Sequence, residues 1–397
     1  MFSKLTKTLA ISFFASAIFA GAFLPSKAFA ADTDTTPTVE EAMKRLSDEI
    51  ARFISAETDA GGKVAISAFQ GPSSSGAGAR ISQALRSHLE GKIKVVDLGA
   101  AYSVGGRFLG QKQSDGKFAT VIEAEICDAL GGSVQNLRKK IITGLDEGLA
   151  FFAPSSVDLS KKSDSGAVAS KPKTEQAESD AKVAGDTLVN ALRKPELHID
   201  PRKKSILRPS QDSPYGLEVL LKKGNEYQAL DLVSEGGLAK VNLGTGDVFA
   251  LRLYNGSPRP VGCRLTIDGI NIFALSENKA YGTSNPIMAL NANGTFSIKG
   301  WHHTDEFSHE FKITNYGDSA AARFGVVEGV GAVTATFFEV IDAESYSNQL
   351  VSRDAGTGLG ELVPQVYQRN QVKFGNPVGA VSARYLRPEH PADLPSE

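Results

Sequence analysis

YSVGGRFLGQKQSDGKFATVIEAEICDALGG, residues 102–132, is built as two extended segments. Asp115-Gly116 supplies a hairpin turn between them, and Gly131-Gly132 marks a second turn at the far end. Within the second segment Val121, Glu123 and Glu125 alternate with Ile122, Ala124 and Ile126, so period two gives one apolar face. That face needs a cover. Upstream, Thr38 followed three residues later by Glu41 reads as a capping pair. Val39, Ala42, Met43, Leu46, Ile50, Phe53 and Ile54 then recur at helical spacing. KVAISAF (63–69) reads as a buried strand, Ile81, Ala84, Leu85 and Leu89 as a second helical face, and IKVVDL (93–98) as a further strand. The expectation is an α+β fold whose first part, residues 38–155, is a small α/β domain with helices on one side of its sheet.

The order VAISAF (64–69), glycine-bearing bend, amphipathic helix, VVD (95–97), YSVGGRF (102–108) and ATVIEAEICDALGG (119–132) resembles a group of periplasmic α/β domains. These are the TolB amino-terminal family, curli-secretion-type proteins and penicillin-binding-protein activators. The Gly-Arg-Phe strand and the Asp-x-x-x-Gly turn, here Asp128 to Gly132, carry the resemblance. It implies a non-enzymatic role in envelope assembly, secretion or regulation through protein contacts. In that group a helix commonly follows the VVD-like strand, whereas here LGAA (98–101) intervenes.

Residues 156–204 are dominated by Ser, Lys, Asp, Glu, Ala and Gly, as in DLSKKSDSGAVASKPKTEQAESDAKVAGD. Such a stretch buries too little apolar surface to offset its ordering entropy, and reads as a charged, disordered linker. A short helix at DTLVNALRK (186–194) is compatible with it, and Arg202-Lys203-Lys204 reads as its solvated end. Residues 205–397 then bring short alternating runs punctuated by Gly, Pro and Asn, the pattern of a β-sandwich. Asp268-Gly269 is expected to be a hairpin turn rather than a catalytic site. Trp301 is expected to anchor the core, and GAVSARYL (379–386), beyond the glycine-rich RDAGTGLGE (353–361), to close the sheet from a distance. This part resembles an uncharacterised exported bacterial β-sandwich module.

Residues 1–30 have Lys4 and Lys7, an apolar run from Leu9 to Leu24, and Ala28-Phe29-Ala30. That is a signal peptide with cleavage after Ala30, and it implies a periplasmic or secreted protein with no membrane span after processing. The 43 basic and 45 acidic side chains leave a net charge of −2, with no positive excess to attract nucleic acid. Cys127 and Cys263 are the two cysteines; a disulfide between them is permitted after export, and two free thiols are the favoured reading.

Candidate chemistry is sparse. The bend QGPSSSGAGARISQAL (70–85) raises the question of a phosphate site. Gly78-Ala79-Arg80 lacks the Gly-Lys-Ser/Thr ending of a Walker loop, and Ile81 stands where a dinucleotide fingerprint would want glycine. An anion over Gly71 to Arg80 stays open as a weaker alternative. In GWHHTDEFSHE, His303, Asp305 and His309 share a parity in an extended strand, so two imidazoles and a carboxylate could hold zinc or copper. A turn through Thr304-Asp305-Glu306 would break that parity. No residue is assigned as catalytic, cofactor-binding or metal-ligating, and no cofactor is expected. The expected activity is that of an exported, non-catalytic protein working through contacts with an envelope or secreted partner. The alternative is a secreted hydrolase or metal-dependent enzyme with a dispersed site.

Overall fold

The computed structural model describes residues 34–36, 38–58, 62–72, 75, 77–96, 99–113, 118–160, 173–284, 286–314, 331–341, 362–367 and 372–385. The leader (1–30), the Asp115-Gly116 turn and the loop 353–361 lie outside them.

The amino-terminal part contains β1 (Asp34–Thr36), α1 (Val39–Glu57), β2 (Lys63–Gln70), α2 (Ala77–Leu89), β3 (Lys94–Val95), β4 (Tyr102–Lys112), β5 (Phe118–Asp128), β6 (Ser133–Thr143), α3 (Leu145–Phe152), β7 (Ser156–Asp158) and α4 (Lys173–Arg193). Among the described residues its sheet has the order β1-β6-β5-β4-β2-β3. The β4-β5-β6 portion is an antiparallel meander, while β2 runs parallel to both β3 and β4. A parallel neighbour requires a crossover, and α2 provides it between β2 and β3. As the sequence requires, Thr38 caps α1: its hydroxyl accepts the Glu41 N–H at 3.1 Å. The period-two pattern of β5 decides which face meets the helices, although Ala119, Val121 and Glu123 on the other face are buried as well. Phe118, Ile122, Ala124 and Ile126 are buried in one cluster with Met43, Leu46 and Ile50 of α1, Ile81 and Leu85 of α2, Phe152 of α3 and Leu188 and Leu192 of α4. The helices therefore share one side of the sheet.

The carboxy-terminal part continues with β8 (His198–Ile199), β9 (Ile206–Arg208), β10 (Tyr215–Lys223), β11 (Glu226–Ala229), β12 (Val233–Glu235), β13 (Leu238–Val241), β14 (Val248–Asn255), β15 (Val261–Ile267), β16 (Ile270–Asn271), α5 (Lys279–Ser284), β17 (Met288–Leu290), β18 (Gly294–Ile298), β19 (Gly300–His302), β20 (Phe307–Lys312), β21 (Ala332–Val340), β22 (Leu362–Pro364) and β23 (Phe374–Tyr385). These make two sheets that pack as a sandwich. One has the order β19-β20-β14-β10-β9-β8, the other β12-β13-β23-β21-β15-β16. Side chains of alternate parity fill the space between, among them Leu217, Val219, Leu251, Leu265, Phe337 and Val381. Phe249 stacks on Phe311 at 5.2 Å, and Trp301 meets Phe311 edge-on at 5.6 Å, so Trp301 is the core anchor expected of it. Asp268 (φ 54°) and Gly269 (φ 80°) form the turn between β15 and β16. With positive φ at both positions, this is the hairpin geometry that Asp-Gly favours. The Asp268 carboxylate accepts the Ala332 N–H at 3.0 Å and the Tyr385 hydroxyl at 2.7 Å, a structural role. The last strand, β23, enters the sheet interior between β13 and β21.

The reading of 156–204 as a linker needs correction at both ends. Strand β7 pairs with β23 in the sandwich, and β8 pairs with β9. Helix α4 is much longer than the short helix expected, and it places Ala184, Leu188 and Leu192 in the α/β core. Composition concealed this because the apolar residues of α4 occupy a single stripe in an otherwise polar helix, which tertiary packing suffices to hold. Helix α3 in turn packs against β21 and β23. The layers thus run amino-terminal sheet, helices, the sheet that contains β23 (the third sheet), and the sheet that contains β14 (the second sheet).

Candidate functional sites

The bend at residues 70–85 owes Gly71 and Gly78 to packing. A Cβ on Gly78 would sit inside contact distance of the Phe69 carbonyl oxygen and 3.2 Å from the Phe108 ring. One on Gly71 would overlap the same ring. Phe108 is buried at 3 % exposure, so an aromatic ring occupies the space beside this bend. The Ser75 hydroxyl accepts the Ala77 N–H at 3.1 Å, satisfying a donor at the start of α2. The Arg80 side chain lies outside the described residues.

The histidine-rich hairpin does not gather His303, Asp305 and His309 into one metal-binding trio. Thr304 Oγ1 accepts the N–H groups of Glu306 (3.2 Å) and Phe307 (3.1 Å), closing a turn through Thr304-Asp305-Glu306. In the resulting register Trp301 faces His309 and His302 faces Ser308. His303 and His309 do meet, with ring centroids 4.6 Å apart, but Asp305 does not join them. Its carboxylate lies 3.6 Å from Nε2 of His302 instead. The carboxylate beside His303 is Glu277, at 3.2 Å. Among the described residues no group of three or more His, Cys, Asp or Glu side chains is arranged to hold a metal ion. His302 is buried among Phe273 (4.7 Å), Tyr367 (4.7 Å) and Tyr281 (5.3 Å), and Tyr367, buried deeply, has its hydroxyl pKa raised. Glu277 approaches from a separate loop, a convergence that sequence spacing does not encode.

Of two buried carboxylates, Glu218 was not singled out by the sequence, and Glu310 drew notice only as the neighbour of the histidines. Glu218, fully buried on β10, accepts hydrogen bonds from Ser205 and Tyr254 (2.6 Å) and pairs with Lys203 (2.7 Å) and Arg252 (2.9 Å). Glu310 pairs with Lys222 at 2.6 Å and accepts from the Tyr227 hydroxyl at 3.2 Å. Arg202, Lys203 and Lys204 are all exposed, as expected of a solvated end, and Lys203 is in addition an ion-pair partner of Glu218. The signal available was a glutamate inside the apolar run Leu217–Leu221.

Cys127, half-buried on β5, and Cys263, buried on β15, are both free. Burial raises both thiol pKa values, which makes them weak nucleophiles.

On β5 the odd-numbered side chains point away from the helices. Glu123 lies in register between Arg107 and Arg138 and pairs with both, at 3.4 Å for Arg138. Toward the β5–β6 turn this surface opens to solvent at Glu125 and Val134. The turn itself is braced by Asp128, whose Oδ1 accepts the N–H groups of Leu130 and Gly132, each at 2.9 Å. Gly131 adopts φ 82°, which suits glycine. Leu130, at the tip, is 97 % exposed.

Searches against protein-family models, curated proteins and solved structures find no match to this chain. Among the described residues no helix is long and apolar enough to cross a membrane.

Proposed function

We propose that this is an exported, non-catalytic protein that acts through protein–protein contacts in envelope assembly, secretion or regulation. The reading rests on the tip of the β5–β6 hairpin. A leucine at 97 % exposure, on a turn fixed by two hydrogen bonds to Asp128 and beside half-exposed Val134, is an apolar contact held ready in one conformation. Preorganisation of this kind lowers the entropy lost on binding. The signal-peptide pattern of residues 1–30 supports export, and the resemblance to the TolB amino-terminal group supports an envelope setting.

The test is a photo-crosslinking amino acid placed at position 130 in exporting cells, with exposed position 223 as the comparison. A discrete protein adduct from position 130 is expected, weakened by Val134→Asp. Equal labelling from both positions, or catalytic turnover of a hydrolase substrate or stoichiometric zinc binding by the purified mature protein, would overturn the reading.

A further inference from the structure

The face of the amino-terminal sheet opposite the helices is basic, although the whole chain carries a net charge of −2. Val64, Val104, Ile126 and Ile141 turn into the core beneath the helices, so their neighbours along each strand turn the other way. The pairing register then orders that face in rows. Arg107, Glu123 and Arg138 form one row across β4, β5 and β6, with Lys140 beside Val121 in the next. Two rows toward the β5–β6 turn from Arg107, the exposed Glu125 lies opposite Asn136. Beyond it Lys63 pairs with Lys94, both exposed. Among the described residues this face thus sets five cations against two carboxylates. Glu123 is buried beneath the two arginines that pair with it, so the outer layer of its row is cationic. Lys63, Lys94 and Lys140 take part in no ion pair among the described residues. A positive field of this kind draws an anionic partner and sets its orientation. Its pattern also selects among anions. The Lys63 N-terminal end and the Arg107 row stand about 20 Å apart along the strands, with Glu125 between them. A uniformly anionic lipid surface or nucleic acid would be pressed against that carboxylate, whereas a protein segment can leave a gap over it.

We propose that this face docks an acidic segment of a partner protein. Carboxylates of the segment lie over Arg107, Arg138 and Lys140 at one end and over Lys63 and Lys94 at the other, with uncharged residues over Glu125. The assignment rests on the reading of the hairpin tip as a protein contact and gives that partner a chemistry. Leu130 and Val134 stand at the same end of the sheet as Lys63, because β5 ends at Asp128 opposite Tyr102 and Tyr102 lies beside Val64. One partner therefore meets an apolar contact at the tip and a charged one along the face.

The probe is a capped peptide, Glu-Glu-Ser-Ser-Glu-Glu, titrated into the mature protein and followed by amide resonances, with Lys-Lys-Ser-Ser-Lys-Lys and phosphatidylglycerol vesicles as comparisons. Saturable shifts at Gly105, Glu125 and Asn136 are expected from the acidic peptide, weakening as salt is added. The double variant Lys63→Glu/Lys94→Glu should bind it roughly fivefold more weakly. Lys223→Glu, on the sandwich, should leave binding unchanged, and the melting temperature of each variant reports its folding. The assignment fails if the acidic peptide does not saturate at millimolar concentration, if the shifts fall elsewhere, or if the folded double variant binds like the wild type. It also fails if the basic peptide binds as tightly, or if the vesicles retain the protein and the double variant abolishes that retention. A failure here beside a discrete adduct from position 130 leaves the role of the tip standing. Peptide binding without that adduct counts against the tip instead.

Discussion

Glu218 shows how one side chain can make a sheet surface depend on pH. Its burial opposes ionisation, yet the hydrogen bonds from Lys203, Ser205 and Tyr254 outweigh that and hold the carboxyl below its ordinary value of 4.5. The same contact with Glu218 raises the pKa of Lys203. A carboxyl whose folded pKa is depressed contributes stability that is fully present above its unfolded pKa and is lost as the pH falls through the folded value. Acidification below 4.5 should therefore weaken the fold partly through this residue. Glu218→Gln should cost about 2–3 kcal/mol at neutral pH, at the low end for a broken buried pair because Lys203 and Arg252 still reach solvent. Urea titrations at neutral pH and well below 4.5 check this: the variant's loss should shrink in acid, and a loss independent of pH would refute the assignment. Which residues could be read in advance follows from how local their roles are. Thr38 caps a residue three positions on and Asp268 fills a two-residue turn, so capping and turn chemistry revealed them, although the bonds from Asp268 to Ala332 and Tyr385 are long-range. His302 and His303 are adjacent and chemically identical, and the register of a hairpin decides which one faces the aromatic cluster. Lys203 gains its role from Glu218 and Tyr254, which strands β10 and β14 bring to it from far along the chain.

Element α2 sets two glycine effects against each other. Gly78 is the second residue of α2, where glycine costs at most about 1 kcal/mol relative to alanine, so Gly78→Ala would if anything stabilise an isolated helix. Here the added methyl meets the Phe69 carbonyl of β2, backbone that cannot swing aside, and the helix must lift from the sheet. Overpacking of that kind costs about 1–3 kcal/mol and should reverse the sign, giving a net loss of about 2 kcal/mol. Chemical denaturation of Gly78→Ala beside Ser87→Ala in the same helix measures it; a more stable Gly78→Ala protein would show that the helix does not rest on β2. At this scale the sequence is most readable where a periodic pattern runs long. The β4 and β5 strands and α1 follow from period two and period 3.6. The start of α4 does not, because its polar amino-terminal turns resemble solvated chain until Leu188 and Leu192 find the sheet.

At the scale of the whole molecule the two parts are joined by more than a covalent connection. Strand β7 adds to β23, the Asp158 carboxylate accepts the Ser210 hydroxyl at 2.7 Å, and the Ser156 hydroxyl accepts the His198 N–H at 3.2 Å. Arg384 of β23, 5 % exposed, donates at 2.9 Å to the carbonyl of Ala153, the left-handed residue that ends α3. The face of the third sheet beneath α3 is polar yet buried, with Thr334 and Ser382 hydrogen-bonded to each other at 2.9 Å. This is why a division at a linker, natural from composition, does not describe the packing. A polar strand face reads as solvent-exposed until a helix layer covers it. Shared layers should make unfolding cooperative. Trp301, the protein's single tryptophan, reports the sandwich, while helical circular dichroism reports chiefly α1 to α4. In urea the two signals should follow one coincident transition. Arg384→Ala should move both midpoints down together, because it leaves the Ala153 carbonyl buried without its charged donor. If tryptophan fluorescence and the helical signal instead separate in the wild type, the sandwich and the α/β body fold independently and the contacts through β7 and α3 are too weak to couple them.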